Sequence, residues 1–197
     1  MKIAITGHKQ GIGKAFAELL AERGHEIVGI SRSQGENIRR IEHTAKIIDS
    51  SDLFINNAQS MFAQTELLYA VWKQWHTLPN FKWIWNISTQ MTHEPTNSIP
   101  DGQDDIDMSL YRVQKLSLEE ASRQLQNKSS WPKISIIRPG GVDTTKKEND
   151  FEKSCAEIPE KSDVNVWAKS VIDTFSQHQN IHISEISLGH IIQRIPL

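Results

Sequence analysis

Two short runs in this chain carry residue types that could do chemistry. The first is Thr6-Gly7-His8-Lys9-Gln10-Gly11-Ile12-Gly13. Such a turn, set between a strand and a helix, aims the free N–H groups and positive dipole end of the helix at whatever lies above the strand. Glycines let the backbone approach a pyrophosphate, where a β-carbon would obstruct. No Gly-Lys-Ser/Thr end is present, which excludes a mononucleotide P-loop. The second run is Tyr111-Arg112-Val113-Gln114-Lys115. A tyrosine phenol can act as an acid at an oxygen that gains negative charge. Tyrosine ionises near pH ~10. A lysine four residues along a helix shares its face, and its charge favours the phenolate. The spacing alone does not select this pair, because Tyr69 also has Lys73 four positions on.

These residues need a scaffold, and the hydrophobic pattern supplies one. Strand and helix signals alternate from end to end, the mark of a parallel sheet covered on both faces. Strands are expected at Lys2 to Thr6, Glu26 to Ile30, Asp52 to Ile55, Lys82 to Ser88, Ile134 to Ile137 and near Ile181 to Ile186. Helices are expected from about Gly11 to Arg23, near Arg39 to Asp49, around Leu67 to Trp75, from Met108 to about Gln126, and near Val164 to Phe175. Met91 to Asp107, with two Pro and four Asp, reads as an exposed loop. The fold class is therefore α/β, a doubly wound three-layer Rossmann arrangement, with residues 1–197 as one domain.

A net charge of −2 gives no electrostatic reason for nucleic acid or an anionic membrane as partner. Apolar runs such as Ile27-Val28-Gly29-Ile30 are too short to span a bilayer. The first residues run straight into a strand rather than a signal peptide, and Cys155 has no partner for an internal disulfide. A cytoplasmic setting is the expectation. His178 and His182 lack a third ligand nearby in sequence, and Asp101 to Asp107 lacks calcium-loop order, so no metal is expected.

Five motifs in order resemble those of the short-chain dehydrogenases/reductases, over roughly residues 1 to 145. The glycine run has that family's Thr-Gly-x-x-x-Gly-Ile-Gly spacing. Asn56-Asn57-Ala58 looks like Asn-Asn-Ala-Gly with Gln59 for the glycine, and Trp85-Asn86-Ile87-Ser88-Thr89 like the strand that delivers a catalytic hydroxyl. Tyr111 to Lys115 matches Tyr-x-x-x-Lys, and Pro139-Gly140-Gly141-Val142-Asp143-Thr144 matches the segment that covers the nicotinamide. The resemblance implies an oxidoreductase that moves hydride between a nicotinamide and a carbonyl or alcohol. Tyr111 would be the acid/base, Lys115 its activator and ribose anchor, and Thr89 the carbonyl-orienting hydroxyl, with Ser88 as alternative. Family order selects Tyr111 over Tyr69. Three departures stand out: threonine for serine, no asparagine between Met61 and Pro79, and a long gap from Thr89 to Tyr111.

Cofactor choice is set at the end of the second strand, where an acid would accept from the ribose 2′-hydroxyl. Ser31 stands there, followed by Arg32, which can pair with a 2′-phosphate, and Lys9 could add charge. NADP(H) is therefore expected over NAD(H). By resemblance, Asn37-Ile38 would contact adenine, and the short segment from Arg32 to Asn56 implies one helix fewer than usual. The expected partners are a small carbonyl or alcohol substrate and further copies of the chain, because this family commonly pairs subunits. Two other readings are a non-catalytic NADP(H)-binding or redox-sensing protein on the same fold, and a nucleotide-sugar epimerase. The epimerase fits poorly, since 197 residues leave no room for a substrate domain.

Overall fold

Alternating apolar residues make strands that bury both faces, and the helices between them return the chain so that every strand runs the same way. The computed structural model describes residues 1–78, 81–93, 108–144, 162–178 and 181–189. In chain order the elements are β1 (Lys2–Thr6), α1 (Gly11–Glu22), β2 (Glu26–Ile30), α2 (Ile41–Ile48), β3 (Leu53–Asn56), α3 (Ala63–Trp75), β4 (Trp83–Ile87) and α4 (Met108–Lys128). Then follow β5 (Lys133–Pro139), β6 (Val142–Asp143), β7 (Ser162–Asp163), α5 (Val164–Gln177) and β8 (Glu185–Leu188). A parallel sheet runs β2-β1-β3-β4-β5-β8, and β6 pairs with β7 in a separate two-strand ladder.

Strand alternation divides the core in two. Ala4, Phe54, Ile84 and Ile134 face one layer, where Ile48, Leu67, Leu68, Val71 and Leu118 from α2, α3 and α4 pack. Ile3, Ile5, Ile55, Trp85 and Ile137 face the other, against Phe16 and Leu20 of α1 and Trp167, Val171 and Phe175 of α5. The result is the expected three-layer α/β/α architecture. Phe16 meets Trp85 and Trp167 edge to face, with ring centroids 6.1 and 5.8 Å apart, so these tryptophans are core.

The chain leaves β1 to one side for β2, then crosses back to place β3 on the other side of β1. Such a reversal opens a crevice above the carboxyl ends of the two strands, where open α/β sheets bind ligands. The glycine run and Asn57 flank it.

Some boundaries differ from those expected. Met91 and Thr92 are not exposed loop: Gln90–Thr92 is a short 3₁₀ turn and Thr92 is buried; residues 94–107 lie outside the described residues. The last strand falls at Glu185–Leu188, later than expected, because its register against β5 pairs Ile137 with Ile186. Between β2 and β3 the chain makes a 3₁₀ turn at Arg32–Gln34 and the single helix α2, which leaves β2 at the sheet edge.

Candidate functional site

The glycine run is stitched to the end of β3. Thr6 Oγ1 accepts from the backbone N–H groups of Asn57 and Ala58 at 2.9 and 3.0 Å, and Asn57 Nδ2 donates to Thr6 O at 3.0 Å. Gly7 and Gly11 have φ of 73° and 51°, in the left-handed region that favours glycine. A β-carbon at Gly13 would lie 2.6 Å from Asn57 Nδ2 and would also strike the Gly7 carbonyl. One at Gly11 would press on Thr144 at 3.3 Å, so the segment after β5 closes over the turn. The first turn of α1 contains no acidic residue, and Gln10 at its N-cap makes no side-chain cap. Its N–H groups are thus open to an anion.

Above this turn lies a cavity of about 870 Å³, lined among others by Gly7, Gln10, Arg32, Asn37, Asn57 and Thr144. Lys9, Gly11, Ile12, Ser31, Ile38 and Ala58 also reach it. Ile38 is at the same time core, being 6% exposed, and Asn37 Oδ1 accepts from Arg39 N at 3.0 Å, which fixes that bend. His8 and Gly13 do not line the cavity. The His8 ring lies across Gly29, and burial lowers its pKa. Glu36, not singled out from the sequence, lines the same end as Arg32, and its carboxylate meets His43 Nε2 at 2.8 Å.

The second group stands one strand further along. Tyr111, Lys115 and Glu119 recur every four residues on one face of α4. Thr89 lies near enough to Tyr111 to act on its phenol, and Thr89 Oγ1 accepts from Met91 N at 3.3 Å. Ser88 points elsewhere. Its hydroxyl is buried and donates to Glu119 Oε1 at 2.6 Å.

Lys115 departs from expectation. Its ammonium is buried, donates to Gln64 Oε1 at 3.0 Å and Ile87 O at 2.8 Å, and lies 5.6 Å from the centroid of the Tyr111 ring. Burial pushes its pKa down to about 7, partly opposed by the Glu119 charge. The Tyr111 phenol is not depressed. Burial raises its pKa, with the Thr89 hydrogen bond acting the other way. The ammonium stands over the ring face.

Gln64 was missed from the sequence. It belongs to the apolar stripe of α3 with Leu67, Leu68 and Val71, and a polar residue on such a stripe is the signal that could have found it. Its Nε2 donates to Asn56 O and Ile87 O at 2.6 and 3.1 Å. Asn56 Nδ2 in turn donates to Asn86 Oδ1 at 2.9 Å. Gln64, on the helix that lacks an asparagine, thus reaches Lys115 with its side chain. Gln59, in place of the family's glycine, bonds Gln114 of α4 and so ties the cavity wall to the helix of Tyr111.

A buried charge cluster was also missed. Glu119 Oε1 accepts from Ser88, from Thr92 Oγ1 at 2.9 Å and from Arg138 Nε at 2.8 Å. Arg138 Nη2 joins Glu119 Oε2 and Glu185 Oε2, both at 2.7 Å, and Arg123 bridges the same two carboxylates. Arg123 and Arg138 hold the Glu185 carboxyl at about 2. Glu119 therefore grips the residues on either side of Thr89. Pro139 ends β5, Gly140 N donates to Leu188 O at 3.0 Å, and Val142 packs on the α1–α5 layer. Among the described residues no cluster could hold a metal, and no helix is long and apolar enough to cross a membrane.

No protein-family profile matches this chain, and no curated protein does. Solved structures do. An alcohol dehydrogenase from the archaeon Thermococcus sibiricus, complexed with 5-hydroxy-NADP, superposes with a TM-score of 0.72 at 18% identity, covering 100% of this chain and 99% of that one. The 3-alpha-hydroxysteroid dehydrogenase from Pseudomonas sp., complexed with NADH, gives 0.70 at 18%, covering 96% and 95%. A short-chain dehydrogenase from Sphingobium yanoikuyae in complex with NADPH gives 0.62 at 18%, covering 98% and 88%. The fold is that of the short-chain dehydrogenases.

Proposed function

We propose that this chain, folded as the short-chain dehydrogenases fold, is a member of that family: an NADP(H)-dependent oxidoreductase that interconverts a small carbonyl and its alcohol. One observation carries the reading. The candidate residues stand at the carboxyl ends of five adjacent strands: Ser31 and Arg32 after β2, the glycine turn after β1, Asn57 and Ala58 after β3, Thr89 after β4, Gly140 after β5. Four strand spacings span about 19 Å, a row suited to an extended dinucleotide with phosphates at the glycines and reactive ring near Thr89 and Tyr111. The close approaches at Gly11 and Gly13 fit such a ligand.

The dinucleotide supplies the hydride. The chain supplies the rest. The Thr89 hydroxyl and the Tyr111 phenol are the two donors from which a substrate carbonyl oxygen would accept. As that oxygen gains charge, the phenol O–H bond breaks and its proton passes to the oxygen, leaving an alcohol and a phenolate. A phenol kept protonated by burial is the form that reduction needs. Lys115 has two of its three donors occupied, and the third remains for a ribose hydroxyl or the phenolate.

For the cofactor, Arg32 supports the 2′-phosphate, while Glu36 at the same end is the residue a bare ribose would favour. A thermal-shift comparison of NADPH, NADH and no ligand decides between them by mass action. Tyr111→Phe should abolish NADPH-dependent reduction across a carbonyl panel while NADPH binding stays within about twofold. Retained turnover overturns the acid assignment. Binding without turnover by the unmodified protein would leave a nucleotide-binding role alone.

A further inference from the structure

Next to Thr89 stands a side chain that the mechanism does not use. Gln90 is half-buried, and its amide lies between the backbones of Gly140, which follows β5, and Gly189, which follows β8. A β-carbon on Gly140 would lie 2.6 Å from Gln90 Oε1 and 2.8 Å from Gly189 Cα, and one on Gly189 would collide with the same amide. Neither glycine has the positive φ found at Gly7, Gly11, Gly24 and Gly35, so neither is required by its backbone conformation. Space is what they provide, and the amide fills it.

That amide makes no hydrogen bond to any described residue. Confining a glutamine side chain costs up to about 2 kcal/mol of rotamer freedom, and no hydrogen bond to a described residue offsets it. By contrast the neighbouring Thr92 and Arg112 are bonded: Thr92 Oγ1 to Thr89 O and Glu119, Arg112 to the carbonyls of Met91 and Thr92. Gln90 thus carries one acceptor and one N–H₂ donor group with no hydrogen bond to a described residue. Its Cα lies one residue, about 3.8 Å, from that of Thr89.

We infer that Gln90 is a specificity-determining residue that hydrogen-bonds a neutral polar substituent, a hydroxyl or carboxamide, on the carbon α or β to the substrate carbonyl. This rests on the reading of Thr89 and Tyr111 as the carbonyl-binding pair. A site with a placed polar group discriminates against the apolar isostere, since that group is then left unpaired against substrate.

The test uses isosteric pairs, 2-hydroxyacetophenone with propiophenone and 3-hydroxypropiophenone with butyrophenone, under saturating NADPH. At least one hydroxy ketone should exceed its isostere in kcat/KM by fivefold or more. Gln90→Met, unbranched and similar in length, should bring that ratio near one while changing propiophenone turnover less than twofold. Gln90→Leu provides a second variant. Affinities of the same pairs, measured by saturation-transfer NMR with NADPH present, read the contact without turnover. Discrimination in binding that depends on Gln90, with no ketone reduced, would sink the catalytic reading and leave this inference standing. Equal discrimination in the unmodified protein and both variants, or none in any, overturns it.

Discussion

Replacing Lys115 by methionine should destroy activity and, below pH 8, make the protein more stable. The lysine is 3% exposed, and its pKa falls from an ordinary 10.5 to about 7 because burial penalises the ammonium. At about 1.4 kcal/mol per pH unit, that lowering corresponds to about 5 kcal/mol of cost to the folded state when the pH is below 7. The sign follows from proton counting. Between pH 7 and 10.5 the unfolded chain holds a proton at this lysine that the folded chain has lost, so stability rises with pH across the window. The cost is still nearly complete at pH 6.5 and falls to about 2 kcal/mol at pH 9. Methionine fills the same space without the charge. It leaves Gln64 Oε1 without its donor, at about 1–3 kcal/mol, whereas Ile87 O keeps its bond from Gln64 Nε2. That penalty does not depend on pH. Urea denaturation of both proteins from pH 6.5 to 9 should therefore show the variant ahead at the acid end by about 2–4 kcal/mol. The gap should shrink by roughly 2–3 kcal/mol toward pH 9. Parallel profiles, with the gap constant within about 0.5 kcal/mol, would refute the reasoning.

Arg32→Ala should weaken NADPH binding about 10- to 100-fold, as expected for loss of a charge-assisted bond, and change NADH binding little. Calorimetric titration of both dinucleotides checks it, and equal losses would move the 2′-phosphate elsewhere. Glu119→Gln should destabilise the fold by about 2–4 kcal/mol, below the full cost of stranding a buried arginine because Glu185 still pairs with Arg138. It should also lower kcat more than it raises KM, since Ser88 and Thr92 lose the carboxylate that holds the Thr89 turn. Denaturation and steady-state kinetics read the two effects, and an unchanged kcat would separate the cluster from the site.

Much of the scaffold was legible because its signals are local. The glycine run, the strand Glu26–Ile30 and the long helix of Tyr111 each follow from periodicity or turn chemistry within a few residues. Alternation predicts that the Ser88 and Thr89 side chains point apart, and the two hydroxyls bond different partners, Glu119 and the Met91 N–H. What escaped was long-range pairing among polar residues on buried faces. Gln64 meets Lys115 across 51 positions, and Glu185 meets Arg138 across 47. Nothing local distinguishes Glu119 from a solvated glutamate, although its place beside Leu118 and Ser122 on the buried side of α4 was a hint. For the Tyr111 phenol, spacing puts an ammonium on its face, while the burial that raises its pKa comes from packing that spacing does not report.

The two missed networks together set the surroundings in which burial lowers the Lys115 pKa. Glu119 is the carboxylate one turn away, and it would hold the lysine charged if its oxygens were free to do so. They are not. Oε1 serves Ser88, Thr92 and Arg138, and Oε2 serves Arg138 and Arg123. The lysine is left with two neutral acceptors, Gln64 Oε1 and Ile87 O, which orient the ammonium but compensate little of its desolvation. Fixing the Thr89 turn with a buried carboxylate and keeping a proton-labile ammonium beneath the phenol are thus one arrangement. The charge that holds the turn offsets only part of the lysine's desolvation.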